Sequence, residues 1–213
     1  DRQTVAYDAT FIAKDYKENK TSDEKVKDVT WMINYAPYSM PSSIRKKIEA
    51  AGTKVELVDV LGNGMEIKAD SEGNPDFSGD NFVLTEKWEE NGNPQVKTYK
   101  GEELKSENVV KYDKIKRELR VILKNPKHEY DFSYITDITE SKGAKLVNTV
   151  KIVVNGTDEH AEVTKTYIVK NSGASASWKD VKKANLTIYK VDGKKEALSG
   201  AKFMLTKTGD PAF

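Results

Sequence analysis

Two polar residues sit at strand positions that should face a core. Asn148 shares a strand face with Leu146, Val150, Ile152 and Val154, while Thr149 and Lys151 point the other way. Asp59 is in phase with Val55, Leu57 and Leu61 and so points inward as well. A buried amide is costly unless its polar atoms are satisfied, and a lone buried carboxylate is driven towards the neutral acid. Together with a buried lysine, such residues can make a bond. A desolvated lysine loses its proton and becomes a nucleophilic amine. A neutral aspartic acid donates a hydrogen bond to the asparagine carbonyl, polarises it, and relays a proton to the leaving ammonia. The product is an amide between two side chains, made once per molecule, which is self-modification and not turnover. Purely structural roles are also open: Asp59 precedes the Gly62-Asn-Gly64 turn and can cap it, and Asn148 can pair with backbone as a satisfied core amide.

Little else in the chain suggests chemistry. His128 and His160 are the only histidines and have no ligand-spaced partners, which argues against a metal centre or a triad. Asp158-Glu-His160 reads as a solvated polar cluster at a loop edge. No glycine-rich phosphate loop is present, so no cofactor and no enzyme activity on other molecules is expected. The 213 residues carry 35 basic and 34 acidic side chains, a net charge of +1, so no field of one sign favours nucleic acid or an anionic membrane. Cysteine is absent, which excludes disulfides and thiolate metal sites. No apolar run is long enough to span a bilayer, and no signal peptide is recognisable.

The elements that must position Asp59 and Asn148 are strands. Period-two alternation marks Val5 to Lys14, Val29 to Tyr35, Val55 to Leu61, Phe82 to Trp88, Gln95 to Tyr99, Val109 to Tyr112, Glu118 to Leu123, Tyr130 to Ile138, Leu146 to Val154 and Glu162 to Val169. Asp15 to Lys27 reads as a polar loop, and Asn91-Gly-Asn-Pro94 as the turn of a hairpin. Ser42 to Gly52 reads as one short amphipathic helix, with serines suited to its N-cap and Ile44 and Ile48 on one face. Phe77, Phe82 and Trp88 are expected in core and hairpin packing. Many short strands joined by turns, with 37% hydrophobic and 32% charged residues, predict an all-β sandwich. Asn171-Ser-Gly-Ala-Ser-Ala-Ser177 has no side chain able to anchor a core and reads as a linker.

Two stretches resemble known families. Leu186 to Leu205 reads strand, turn, strand, with Lys190-Val-Asp192 in the first strand and Leu198-Ser-Gly-Ala201 opening the second. It resembles the start of Cna B-type (SpaA pilin-like) domains of Gram-positive surface proteins. In that family the lysine of this segment, here Lys190, forms an isopeptide bond to a later strand, which would lie beyond Phe213 and leave Lys190 unpaired. Phe11-Ile-Ala-Lys14, Asp28-Val-Thr-Trp-Met-Ile-Asn34, Leu57-Val-Asp-Val-Leu61, Leu119-Arg-Val-Ile-Leu123, Asp131-Phe-Ser-Tyr-Ile-Thr-Asp-Ile-Thr139 and Leu146-Val-Asn-Thr-Val150 resemble, in order, the collagen-adhesin (Cna A-type) immunoglobulin-like domain.

The second resemblance implies an intramolecular Lys–Asn isopeptide bond between Lys14 and Asn148, with Asp59 as its general acid and proton relay. Lys14 is in phase with Ile12 but also with Thr10 and Asp8, so Lys17 in the following segment remains an alternative lysine. By analogy with disulfides, closing so long a loop would contribute roughly 4–5 kcal/mol and staple the first strand against pulling force. The resulting expectation is an immunoglobulin-like β-sandwich adhesin domain over residues 1–172, a linker over 173–183 and the first strands of a B-type domain over 184–213. The chain is expected to be a piece of an extracellular, cell-wall-anchored protein. Its expected partners are a host extracellular-matrix protein and neighbouring domains of the same protein. The alternative is a structural pilin or stalk subunit with no ligand of its own.

Overall fold

The inward and outward alternation of apolar and polar side chains produces eleven strands among residues 11–107 and 109–170, which are those that the computed structural model describes. In chain order they are β1 (Ile12–Lys20), β2 (Val26–Tyr35), a 3-10 turn (Pro37–Ser39), α1 (Ser42–Glu49), β3 (Val55–Leu61), β4 (Met65–Ile67), β5 (Phe82–Glu90) and β6 (Asn93–Lys100). There follow α2 (Glu102–Ser106), β7 (Val110–Asp113), β8 (Glu118–Leu123), β9 (Glu129–Ile138), β10 (Lys145–Val154) and β11 (Thr157–Ile168). Every pairing is antiparallel. One sheet runs β1-β2-β9-β5-β6, with β4 also on β9; the other runs β11-β10-β3-β8-β7. The result is an all-β, immunoglobulin-like sandwich.

The core lies between the sheets. Val29, Trp31, Ile33 and Tyr35 of β2 and Tyr130, Phe132 and Tyr134 of β9 face Leu57, Leu61, Leu119, Val121, Leu146, Val150 and Ile152 of the second sheet, all buried. Removing each such side chain from water contributes about 1.5–3 kcal/mol. The indole nitrogen of Trp31 is not left unpaired: it donates to Thr136 Oγ1 at 3.0 Å. At the end of β3 the chain must bend tightly against β10. There the Gly62 amide donates to Val147 O at 2.9 Å, and a Cβ at this position would lie only 2.4 Å from that oxygen. Glycine thus allows the close approach that sets Asn148 opposite Leu61.

Several expectations are corrected. Asp15 to Lys20 is not loop but the outer half of β1, and β2 begins at Val26. The polar residues there are compatible with an edge strand: Asp15 and Lys17 are exposed, Tyr16 packs on Trp31 and Tyr167, and the Asn19 amide donates to Asp28 and Thr30. The β5–β6 turn is two residues, not four. Asn91 and Gly92 both have positive φ, 51° and 77°, the backbone of a type I′ turn, and Pro94 is accommodated in edge strand β6. α1 begins after Pro41 with no side-chain cap, so the serines lie inside the helix rather than before it; Ile44 and Ile48 are buried as expected. The short α2 and β4 carry no sequence pattern long enough to predict them. Residues 1–10, the 173–183 linker, the 184–213 segment and its Lys190 lie outside the described residues.

Candidate functional site

The two sheets bring Lys14, Asp59 and Asn148 together in the core. Lys14 sits on β1, beside Ile33 of β2 and diagonal to Trp31. Asp59 lies on β3 opposite Val150, and Asn148 lies on β10 opposite Leu61, so the two are diagonal neighbours on one inward face. Lys17, the alternative lysine, is exposed on the outer side of β1.

The Lys14 ammonium donates to Asp59 Oδ1 at 2.7 Å and to Oδ2 at 2.6 Å, with the two side chains 0% and 1% exposed. Its Nζ also lies 5.5 Å from the Trp31 ring centroid and 5.9 Å from that of Tyr134. Burial pushes the Lys14 pKa below its ordinary value against the opposing pull of Asp59, and burial pushes Asp59 up against the pull of Lys14 and Tyr134. Both shifts move the pair towards the neutral amine and acid.

Asn148 joins this pair through a residue that the sequence reading missed. The Tyr134 hydroxyl donates to Asp59 Oδ2 at 2.6 Å and accepts from Asn148 Nδ2 at 2.7 Å. Asn148 Oδ1 is buried and accepts no hydrogen bond among the described residues. An unsatisfied buried acceptor costs about 1–3 kcal/mol, so this oxygen is an unused site for a donor. The Asp59 carboxylate is taken up by Lys14 and Tyr134 and caps no turn, and the Asn148 amide nitrogen pairs with the Tyr134 hydroxyl and not with backbone. Tyr134 was visible in the sequence only as an inward aromatic in phase with Phe132; its hydroxyl contacts depend on how the sheets stack.

No protein-family model and no curated protein matches the sequence. Among solved structures, the collagen-binding domain of a Staphylococcus aureus adhesin aligns at 12% identity, covering 76% of this chain and 99% of that one, with a TM-score of 0.48. The Enterococcus faecalis MSCRAMM ACE, described as binding its ligands by the collagen hug model, aligns at 14% identity over 78% of this chain, with a TM-score of 0.46. The N-terminal domain of a Streptococcus gordonii adhesin aligns at 12% identity over 75% of this chain, with a TM-score of 0.42. The chain spans 51% of the Enterococcus chain and 32% of the Streptococcus chain.

A second polar cluster surrounds Glu86 in the middle of β5. Glu86, inward and in phase with Phe82 and Leu84, accepts from Tyr99 at 2.6 Å, Tyr130 at 2.8 Å and His128 Nδ1 at 2.7 Å. His128 stacks flat on Trp88, with centroids 5.2 Å apart. Thus half-buried Trp88 packs on the β8–β9 connection, not within its own hairpin, and His128 has a carboxylate partner that sequence spacing did not show. Among the described residues no cluster of His, Cys, Asp and Glu could hold a metal.

Burial alone would raise the Glu86 carboxyl, but the hydrogen bonds from Tyr99, Tyr130 and His128 outweigh it and hold its pKa below the ordinary value. A depressed carboxylate contributes stability that is present above its unfolded pKa, about 4.3, and lost as pH falls through the folded value. Urea midpoints measured from pH 7 down to pH ~3 are therefore expected to fall less steeply in Glu86→Gln than in the wild type. Parallel curves would show that Glu86 contributes nothing to acid sensitivity.

Proposed function

We propose that this sandwich is a ligand-binding module of a Gram-positive bacterial surface adhesin, locked by an amide that forms between Lys14 and Asn148. Asp59 takes a proton from the Lys14 ammonium. The free amine attacks Asn148 Cγ, the new Nζ–Cγ bond forms, the Cγ–Nδ2 bond breaks, and ammonia leaves. Asp59 ends as the neutral acid, able to donate to the carbonyl oxygen that was Asn148 Oδ1. The observation that carries the reading is the dry contact of Lys14 Nζ with both Asp59 oxygens, with the Asn148 carboxamide tied to the same carboxylate through Tyr134.

The test is intact mass under denaturing conditions, followed by peptide mapping. The expected result is a chain lighter by one ammonia, with the Lys14 and Asn148 peptides joined, and full mass in Asp59→Ala. A wild type of full mass sinks the covalent reading. The adhesin role rests on the ordered segments from Phe11 to Val150 that resemble the collagen-adhesin domain, and on this reading the protein works outside the cell, fixed to the wall. Collagen, named for the Staphylococcus domain, is the first host matrix protein to test, with fibronectin and fibrinogen beside it. Saturable binding supports an adhesin; failure to bind any of the three favours a stalk without a ligand of its own.

A further inference from the structure

We propose that Tyr134 is a catalytic residue of the cross-linking reaction, carrying the proton from Asp59 to the departing ammonia; this rests on the cross-link proposed above. The geometry separates two tasks usually given to one carboxyl group. Asp59 turns both oxygens to the Lys14 ammonium, while the nitrogen that must leave, Asn148 Nδ2, is in contact with the Tyr134 hydroxyl at 2.7 Å. The same hydroxyl is 2.6 Å from Asp59 Oδ2, so it stands between the acid and the leaving group.

Before reaction both bonds run from Asn148 towards Asp59: Nδ2 donates to the hydroxyl, and the hydroxyl donates to the carboxylate. That direction suits a planar amide, whose nitrogen lone pair is delocalised and accepts nothing. Attack by the Lys14 amine changes both ends. Asp59 has become the neutral acid by accepting a proton from Nζ, and Nδ2, now on a tetrahedral carbon, carries a localised, basic lone pair. Both hydrogen bonds can then reverse.

Tyr134 passes its hydroxyl proton to Nδ2 as it receives the Asp59 proton, the Cγ–Nδ2 bond breaks, and ammonia departs. The Asp59 carboxylate takes the surplus proton from Nζ and is again the acid. Tyr134 ends as it began. Burial holds the Tyr134 hydroxyl well above its ordinary pKa, with Asp59 adding to the effect, so a free phenolate is disfavoured and the hydroxyl must gain one proton as it gives one up. The ring is fixed for the task by stacking on Phe132 and Phe82, with centroids 5.6 and 6.3 Å away.

The experiment follows the loss of ammonia with time after cell-free synthesis of the full chain, by intact mass, in the wild type and Tyr134→Phe. Phenylalanine keeps the ring and removes the hydroxyl with its two hydrogen bonds, to Asp59 and from Asn148. Positioned proton transfer contributes on the order of 10²–10⁴-fold, so Tyr134→Phe is expected to close the bond at least ~100-fold more slowly, while its circular dichroism matches that of folded, uncross-linked Asn148→Ala. Equal rates in the wild type and Tyr134→Phe overturn the relay and leave the cross-link standing. A wild type that never loses ammonia overturns the cross-link itself, and the relay with it. Should Tyr134→Phe fail to fold, 3-fluorotyrosine at position 134 decides. It retains the ring and hydroxyl but changes the acidity; a several-fold change in rate with a shifted pH profile supports the relay, and a wild-type rate and profile overturn it.

Discussion

Asp59→Ala is expected to be the most damaging single change at the site, abolishing the proposed cross-link and leaving the Lys14 ammonium without a counter-charge in a dry interior. Removing one partner of a buried ion pair costs about 3–5 kcal/mol, and the lost constraint on the unfolded chain adds to this. Against a total stability of about 5–15 kcal/mol, the variant should unfold at low urea or fail to accumulate. The pH dependence identifies the cause. Burial already lowers the Lys14 pKa, and deleting Asp59 removes the two opposing influences. The unfolded chain then binds more protons than the folded one at this position, so stability rises with pH up to the unfolded lysine pKa, about 10.4. Urea midpoints of Asp59→Ala should therefore climb between pH ~6 and ~10. A flat profile would mean that Lys14 escapes to water when Asp59 is gone.

Asn148→Ala should give the second largest effect, by a different route. It removes the electrophile but keeps the contact between Lys14 and Asp59. Losing a loop constraint of this length costs roughly 4–5 kcal/mol, and for a domain of this size that lowers Tm by about 10–20 °C. The variant should keep the full mass and recover less at high pH than Asp59→Ala, because Asp59 still opposes the effect of burial on Lys14. The difference between the two variants isolates the buried pair. A Tm unchanged from the wild type would remove the stabilising role of the bond, whatever the mass shows.

Much of this was legible in the sequence because strand phase is local information. The inward placement of Asp59 follows from Val55, Leu57 and Leu61, and that of Asn148 from Leu146 and Val150; both hold in the structure. The outer half of β1 was illegible because an edge strand tolerates polar residues on both sides, which makes Asp15 to Lys20 look like a loop. Lys14 was ambiguous for the same reason. Its burial depends on the second sheet closing over β1, where Tyr16 meets Tyr167. Tyr134 and Glu86 were missed as polar partners because alternation tells which way a side chain points and not what it meets across the core.

Lys14 lies on the first described strand, and Asn148 on the last but one. An amide between them would close almost the whole domain into a covalent ring with two tails. Within that ring lies the mostly exposed segment between β4 and β5, from Ala69 to Asp80, the kind of loop that proteases cut first. A single cut there would open the ring without releasing a fragment, and both halves would remain one molecule even after unfolding. The same two residues that join the sheets would thus let the domain survive damage to its own backbone.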